Sequence, residues 1–224
     1  MTGTERTLRV EFHCHTIFSR DSLVTPEELL AACRKRGVDR VVVTDHNTIQ
    51  GALAAQAIDP ERVIVGEEIL TQQGELLAAY VQEEIPEGLP PVEAIARLRE
   101  QGALISVSHP YDVTRKGHWK PAELEQIAPL VDAIEVFNAR CLLAKYNRQA
   151  AAFAAEHNLL GTVGSDAHTR AEYGRAVLLL PEFSDGTSLK DALRDGKQQV
   201  RSSGLRVRFG SRYALIKKSI AGEI

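Results

Sequence analysis

The sequence predicts an α/β fold in which parallel strands curl into a barrel, and three observations carry that expectation. Apolar β-type runs alternate with helix-type segments along most of the chain, the signature of parallel strands joined by right-handed crossovers. Polar residues of metal-ligand type recur just after those runs: His13-Cys14-His15, Thr44-Asp45-His46, Gly66-Glu67-Glu68, Ser108-His109-Pro110 and Ser165-Asp166-Ala167-His168. Five strand ends meet at one site only if the sheet closes; in an open doubly wound sheet they spread along an edge. The length of 224 residues suits a single domain over residues 1–224, since such barrels commonly run to about 200–250 residues.

Leu8 to His13 reads as the first strand. Thr25-Pro26-Glu27-Glu28 opens a helix with Thr at the N-cap and Pro at the first helical position, and Gly37 stops it. Arg40 to Thr44 is too apolar to face water on either side, as expected of a buried parallel strand. A short helix follows from Ile49 to Ala57, and Val63-Ile64-Val65 and Leu76 to Val81 continue the strand series. Pro90-Pro91-Val92 leads into a helix ending at Gly102, followed by a strand from Leu104 to Val107. Pro121 starts another helix, Ala133 to Phe137 forms a strand, Ala144 to His157 an Ala-rich helix, and Thr162-Val163-Gly164 a short strand into the final histidine motif. The tail from Asp191 to Ile224 carries little chemistry, and Val200 to Phe209 alternates basic and apolar residues like an edge strand.

Hydrophobic residues make up 44% and charged residues 25%, ordinary for a globular protein. A net charge of -3 and a pI of about 6.2 give no bulk positive field for holding duplex nucleic acid, so a small anionic substrate is favoured. Cys14, Cys33 and Cys141 are few and widely spaced, which argues for reduced thiols in a cytoplasm. Met1-Thr2-Gly3-Thr4-Glu5-Arg6 lacks an apolar signal core, and no run approaches the ~18 residues that cross a bilayer. A cytoplasmic protein with no membrane partner is expected; the oligomeric state is not legible.

His13 and His15 are two apart on a strand, so both imidazoles project from one face while Cys14 points to the other. Asp166 and His168 repeat that spacing with a carboxylate and an imidazole, the mixture expected around Zn²⁺, Mn²⁺ or Fe²⁺. Gly164 before them allows close backbone approach. His46 and His109 are single imidazoles after buried strands, whereas His157 lies inside a helix and reads as structural.

His13-x-His15 with Asp21 six residues later, Thr44-Asp45-His46, Gly66-x-Glu68, Ser108-His109-Pro110 and Ser165-Asp166-x-His168, spanning residues 10 to 168, resemble in order the motifs of the PHP (polymerase and histidinol phosphatase) phosphoesterase superfamily. The resemblance implies an irregular seven-stranded β/α barrel, TIM-like, with two or three divalent metal ions at the C-terminal ends of the strands. It implies that His13, His15, Glu68 and Asp166 hold a first metal, that Glu68 bridges to a second also bound by His109, and that Asp21, His46 and His168 hold a third. The Gly-x-Glu pattern selects Glu68 over Glu67. Many members carry a histidine after a glycine in the next strand; the matching place here is Gly74-Glu75, so Glu75 is either a carboxylate replacement for that ligand or a solvated turn residue. As a ligand, Glu75 shifts preference towards harder Mn²⁺.

The expected chemistry is hydrolysis of a small phosphate monoester or nucleotide by a metal-bridging hydroxide, with no covalent protein intermediate. Asp45 either orients a ligating histidine or bonds the loop backbone. Arg140, with Asn138 beside it at the end of a strand, either grips the phosphate or is a surface arginine paired with a carboxylate. Arg115, Lys116 and His118 form a basic loop that either covers the substrate or is merely solvated. Two other readings share the ligands: a nuclease on single-stranded ends, disfavoured by 5% aromatic content and no basic stripe, and a non-catalytic metal-binding scaffold.

Overall fold

The computed structural model describes residues 7–204 and 207–222; segment 1–6, considered above, lies outside them. Its elements are β1 (Leu8–Glu11), α1 (Pro26–Arg36), β2 (Arg40–Val43), α2 (Gln50–Ile58), β3 (Val63–Leu70), β4 (Glu75–Ala79), α3 (Pro91–Glu100), β5 (Leu104–Val107), α4 (Pro121–Ile127), β6 (Ala133–Asn138), α5 (Ala144–Glu156), β7 (Leu160–Gly164), β8 (Ala176–Leu180), α6 (Gly186–Arg194), β9 (Lys197–Val200) and α7 (Val207–Ala221). Local chemistry sets several boundaries. Thr25 and Glu28 form a reciprocal capping box at the start of α1, and Gly37 ends it at φ 64°, a left-handed conformation that costs glycine little. Every residue of β5 is buried, as are Val41, Val42 and Val43 of β2, which explains why these strands read as continuous apolar runs.

The strands form one mixed sheet in the order β7-β6-β5-β4-β3-β2-β1-β8-β9. Its two arms meet: beyond β7 the Asp166 amide donates to the His13 carbonyl at 2.8 Å, and the His15 amide donates to the Ala167 carbonyl at 2.9 Å. Strands β1 to β7 therefore make a nearly closed ring. The seven-strand expectation is corrected to nine strands among the described residues, because the ring closes only beyond the upper end of β1. The lower part of β1 is left as an edge that must be paired, and β8 takes it antiparallel, with Leu8 opposite Leu180 and Val10 opposite Leu178; β9 then pairs with β8.

An all-parallel arrangement is also corrected, since β4 runs antiparallel to both β3 and β5. Only residues 71–74 separate β3 from β4, too few for a crossover, and Thr71 and Gly74 close that hairpin by hydrogen bonds. The reversal matters for function: it brings the first residue of β4, Glu75, to the rim where the parallel strands end. The edge strand expected over residues 200–209 is β9 only up to Val200; α7 begins at Val207, and residues 205–206 lie outside the described set. Helical periodicity overrides the short alternation there, because Ala214 and Lys218 bury one face while Phe209, Tyr213, Ile216 and Ile220 remain exposed on another. No helix among the described residues is long and apolar enough to cross a membrane. All three cysteines are free thiols.

Asp132 ties two helices to the sheet. Its carboxylate accepts from Arg99 of α3 and Lys190 of α6, each at 2.6 Å, and from the Ile105 amide at 3.0 Å. Burial alone would raise its pKa, but those hydrogen bonds hold it below the ordinary value of 3.8. A depressed folded-state pKa stabilises the protein above the unfolded value and stops doing so as pH falls through the folded one. Asp132→Asn is expected to cost about 1–2 kcal/mol at pH 7, near the lower end for charge-assisted bonds because both cations stay partly exposed. Urea melts at descending pH check this; the gap between wild type and variant closes in the acid range.

Candidate metal centre

The nine ligand-type side chains arrive from six of the strands. His13 and His15 follow β1, Asp21 lies in the loop after them, His46 follows β2, Glu68 sits in β3, Glu75 begins β4, His109 follows β5, and Asp166 and His168 follow β7. The structure brings all nine together. Glu68 is at the centre: its Oε2 lies 3.3 Å from His13 Nε2, 3.4 Å from His15 Nε2 and 3.0 Å from His46 Nδ1, and its Oε1 lies 3.1 Å from His109 Nε2. Asp166 Oδ1 is 3.5 Å from His15 Nε2 and 3.8 Å from His13 Nε2. Asp21 stands 3.0 Å from His168 Nε2 and 3.5 Å from His46 Nε2, and Glu75 Oε2 is 3.4 Å from His109 Nε2.

Ligand atoms within 4.8 Å of one another form four overlapping groups among the described residues: His13, His15 and Glu68; His13, His109 and Asp166; His15, His46 and His168; and His46, Glu68 and Glu75. His15 thus groups with the histidines expected at the third position, so the sites share a boundary rather than dividing cleanly. Glu75 belongs to the cluster, and Glu67 does not: it turns away to accept from the Ile85 amide at 3.0 Å, because neighbours along a strand face opposite ways.

Donors of this kind fit divalent cations on an observation internal to the cluster. His13 Nε2 and His15 Nε2 point at each other across 3.1 Å, while their other nitrogens meet Glu135 Oε1 at 2.9 Å and Ser19 Oγ at 3.1 Å. Glu68 Oε2 and Asp166 Oδ1 are buried with no hydrogen-bond donor. Lone pairs from two imidazoles and two carboxylates converging in a buried space cost several kcal/mol unless a cation neutralises them, and mixed N/O ligation of this kind is what Zn²⁺, Mn²⁺ and Fe²⁺ take. The electrostatics agree. Although burial opposes its charging, neighbouring Glu68, Glu135 and Asp166 push the His13 pKa above the ordinary value; in the same way Glu68 and Asp21 raise His46 to about 10. Burial, His168 and His46 keep His15 low. Carboxylates Glu68 and Asp166, raised by burial, are lowered further by His13 and Arg115 respectively to lie well below the usual range.

Sequence comparison matches residues 11–82 to the PHP domain and residues 144–198 to the PHP-associated domain. An uncharacterized protein of Methanocaldococcus jannaschii, MJ1587, is 35% identical in an alignment of 146 positions that covers 59% of this chain and 82% of that one. The chain belongs to the PHP family. Among solved structures, a two-domain protein from Bacteroides vulgatus containing a predicted PHP-like metal-dependent phosphoesterase shares the fold at a TM-score of 0.70 and 20% identity; the match covers 88% of this chain and 66% of that one. A lesion-specific endonuclease from Pyrococcus furiosus, EndoQ, shares it at a TM-score of 0.58 and 14% identity, over 87% of this chain and 58% of the other.

In this PHP chain several supporting residues escaped the sequence reading. Glu135 of β6 is fully buried and accepts from the His109 amide at 2.9 Å and from Asn138 Nδ2 at 3.0 Å besides facing His13. Glu11 of β1 accepts from the Ser165 amide and hydroxyl and from the Gly174 amide; burial raises its pKa to about 7. Each is the one carboxylate in its strand and is buried, and that oddity is the signal that could have found them. Asp45 accepts from the Thr16 amide and hydroxyl at 2.6 Å and from Ser19 Oγ at 2.5 Å. The loop-backbone role is therefore what Asp45 performs, and it reaches His15 only through Ser19. His157 stacks on Phe153 at 4.0 Å, away from the cluster.

Asn138 and Arg140, expected beside the substrate, are instead buried behind the cluster. Asn138 Nδ2 donates to Glu135 and to Asp166 Oδ2 at 3.1 Å. Arg140 Nη1 lies 2.8 Å from His168 Nδ1, and its Nε pairs with Glu172 at 3.0 Å. The turn residues that end β6 tuck inward, which strand periodicity alone does not show. Arg115, by contrast, reaches the rim and pairs with Asp166.

Gly164 is forced by the same crowding. A Cβ there would lie 2.3 Å from both His13 Cβ and Glu135 Oε1, and His13 Cβ is fixed to the backbone of β1. Gly164→Ala is expected to cost about 1–3 kcal/mol by overpacking and to weaken Mn²⁺ binding; thermal melts with and without Mn²⁺ measure both.

Proposed function

We propose that this protein is a metal-dependent phosphoesterase hydrolysing a small phosphate monoester or nucleotide. One observation carries the reading: nine metal-ligand side chains from six strands converge on a single rim around the buried oxygens of Glu68 and Asp166 that no hydrogen bond satisfies. His13, His15, Glu68 and Asp166 would hold a first divalent ion, Glu68 and His109 a second, and Asp21, His46 and His168 a third, with Glu75 completing the carboxylate set. When bound, such ions lower the pKa of a shared water and neutralise the leaving oxygen.

The chain's own residues do the rest. Glu135 and Ser19 fix the ring orientations of His13 and His15, which sets where their Nε2 lone pairs aim. Beside the rim lies a cleft of about 630 Å³ with Arg20, Arg115 and Lys116 in its lining. Those three cations would draw a phosphate dianion to the rim, and the planar fork of Arg115, exchanging Asp166 for the incoming oxygens, would orient it. A screen of phosphorylated metabolites with added Mn²⁺, alongside elemental analysis, tests the proposal. Release of phosphate from at least one monoester is expected. Inertness toward every monoester combined with cleavage of oligonucleotides would transfer the assignment to a nuclease.

A further inference from the structure

We propose that α7 is the specificity wall of this site, closing the cleft to polymers and limiting the substrate to small phosphate esters whose leaving group ends against Leu215 and Ser219. The inference rests on the phosphoesterase reading and deepens it.

The cleft lined by Asp21, His46 and Glu75 is lined by Leu215 and Ser219 of α7 as well. Between them Lys218 turns inward, 4% exposed, and its ammonium donates to the carbonyls of Ile17 and, at 2.7 Å, Ser19. Those carbonyls belong to the loop that carries Asp21. At the other end of the helix, Arg140 Nη2 donates to Ser211 Oγ at 2.7 Å and to the Val207 carbonyl at 3.2 Å, while its Nη1 contacts His168. Asp21 and His168 face each other at 3.0 Å. The helix is thus clamped by two cations that also hold the two sides of one pair on the rim. Burying an ammonium is costly unless its donors are satisfied, so a helix that merely filled space would place an apolar side chain at this position.

The dimensions favour a small ligand. A volume of about 630 Å³ falls inside the range of roughly 300–1,000 Å³ usual for small-molecule sites. Sequence-independent grooves for single strands track about 4–16 nucleotides and offer aromatic stacking platforms. Among the described residues lining this cleft there is no Phe, Tyr or Trp.

Two variants test the wall: Leu215→Ala, which lowers it, and Lys218→Met, which keeps the aliphatic stem but releases the anchor. The readout is kcat/KM for phosphate release from p-nitrophenyl phosphate and from a 5′-phosphorylated oligothymidylate, both with Mn²⁺, with circular dichroism reporting the fold. Wild type is expected to prefer the small ester by about 10²-fold or more, and each variant to shrink that preference by about tenfold. An unchanged preference in folded Leu215→Ala overturns the proposal, whatever the folding of Lys218→Met. A wild type inert toward both substrates and toward every monoester of the metabolite screen strikes the phosphoesterase reading itself and the wall with it, a result distinct from an active enzyme whose preference does not move.

Discussion

Replacing Asp166 with Ala is expected to lower phosphoesterase turnover by about 10³-fold or more, a loss of roughly 4 kcal/mol of transition-state stabilisation. Its Oδ1 faces the Nε2 atoms of His13 and His15, and its Oδ2 takes Asn138 and Arg115. The variant removes a charge that two imidazoles and an arginine are arranged around, so bound Mn²⁺ per chain should fall as well. Asp166 also sits at φ 52°, a left-handed conformation that Asp tolerates better than most residues. Ala is less at ease there, by about 1–2 kcal/mol, so circular dichroism is used to separate lost chemistry from lost structure. Asp166→Asn keeps shape and backbone preference while removing the charge, and should be nearly as inactive. Unchanged turnover in the folded Ala variant would assign the site to a structural scaffold.

Glu135→Ala is expected to weaken Mn²⁺ binding by about 10–100-fold, the usual effect of removing the group that orients a ligating histidine. It should also cost about 3–5 kcal/mol of stability, because one deletion strands several buried groups. The His13 ring loses its partner at 2.9 Å, and the His109 amide and the Asn138 side chain lose an acceptor at 2.9 and 3.0 Å. Glu135→Gln supplies one oxygen and should recover part of the stability but less of the metal affinity, since a neutral amide polarises the imidazole less. Isothermal titration with Mn²⁺ and denaturant melts on the same samples give both numbers. Equal affinity in all three proteins would mean that the orientation of His13 is set by packing alone.

How much of this was legible depended on whether a residue's role follows from its own strand. The positions of His13, His15 and Asp166 were readable because each follows an apolar run whose period fixes the face, Glu68 was preferred over Glu67 only through the family resemblance, and the closing of the sheet was readable because so many such ends could meet only at one rim. Glu135 and Glu11 were not singled out, since their partners lie 122 and 154 residues away and no local period points to them. The reversal of β4 was hidden in the short hairpin after Leu70, yet it is what brings Glu75 to the cluster. Arg140 was misplaced because a turn, not a strand, decides where it points. The stretch after residue 168 gave least: β8 carries an apolar run, Ala176-Val177-Leu178-Leu179-Leu180, but its pairing with β1 follows from where the ring fails to close, and α7 competes with an edge-strand pattern over residues 207–209.

Anomalous scattering from a crystal grown with Mn²⁺ tests the central claim most directly. The expected map shows at least two manganese peaks, with His13, His15, Glu68 and Asp166 in direct contact and Glu68 shared between two ions. A map with no manganese at this rim, or with peaks held by other residues while Glu68 and Asp166 stay unligated, would contradict the account.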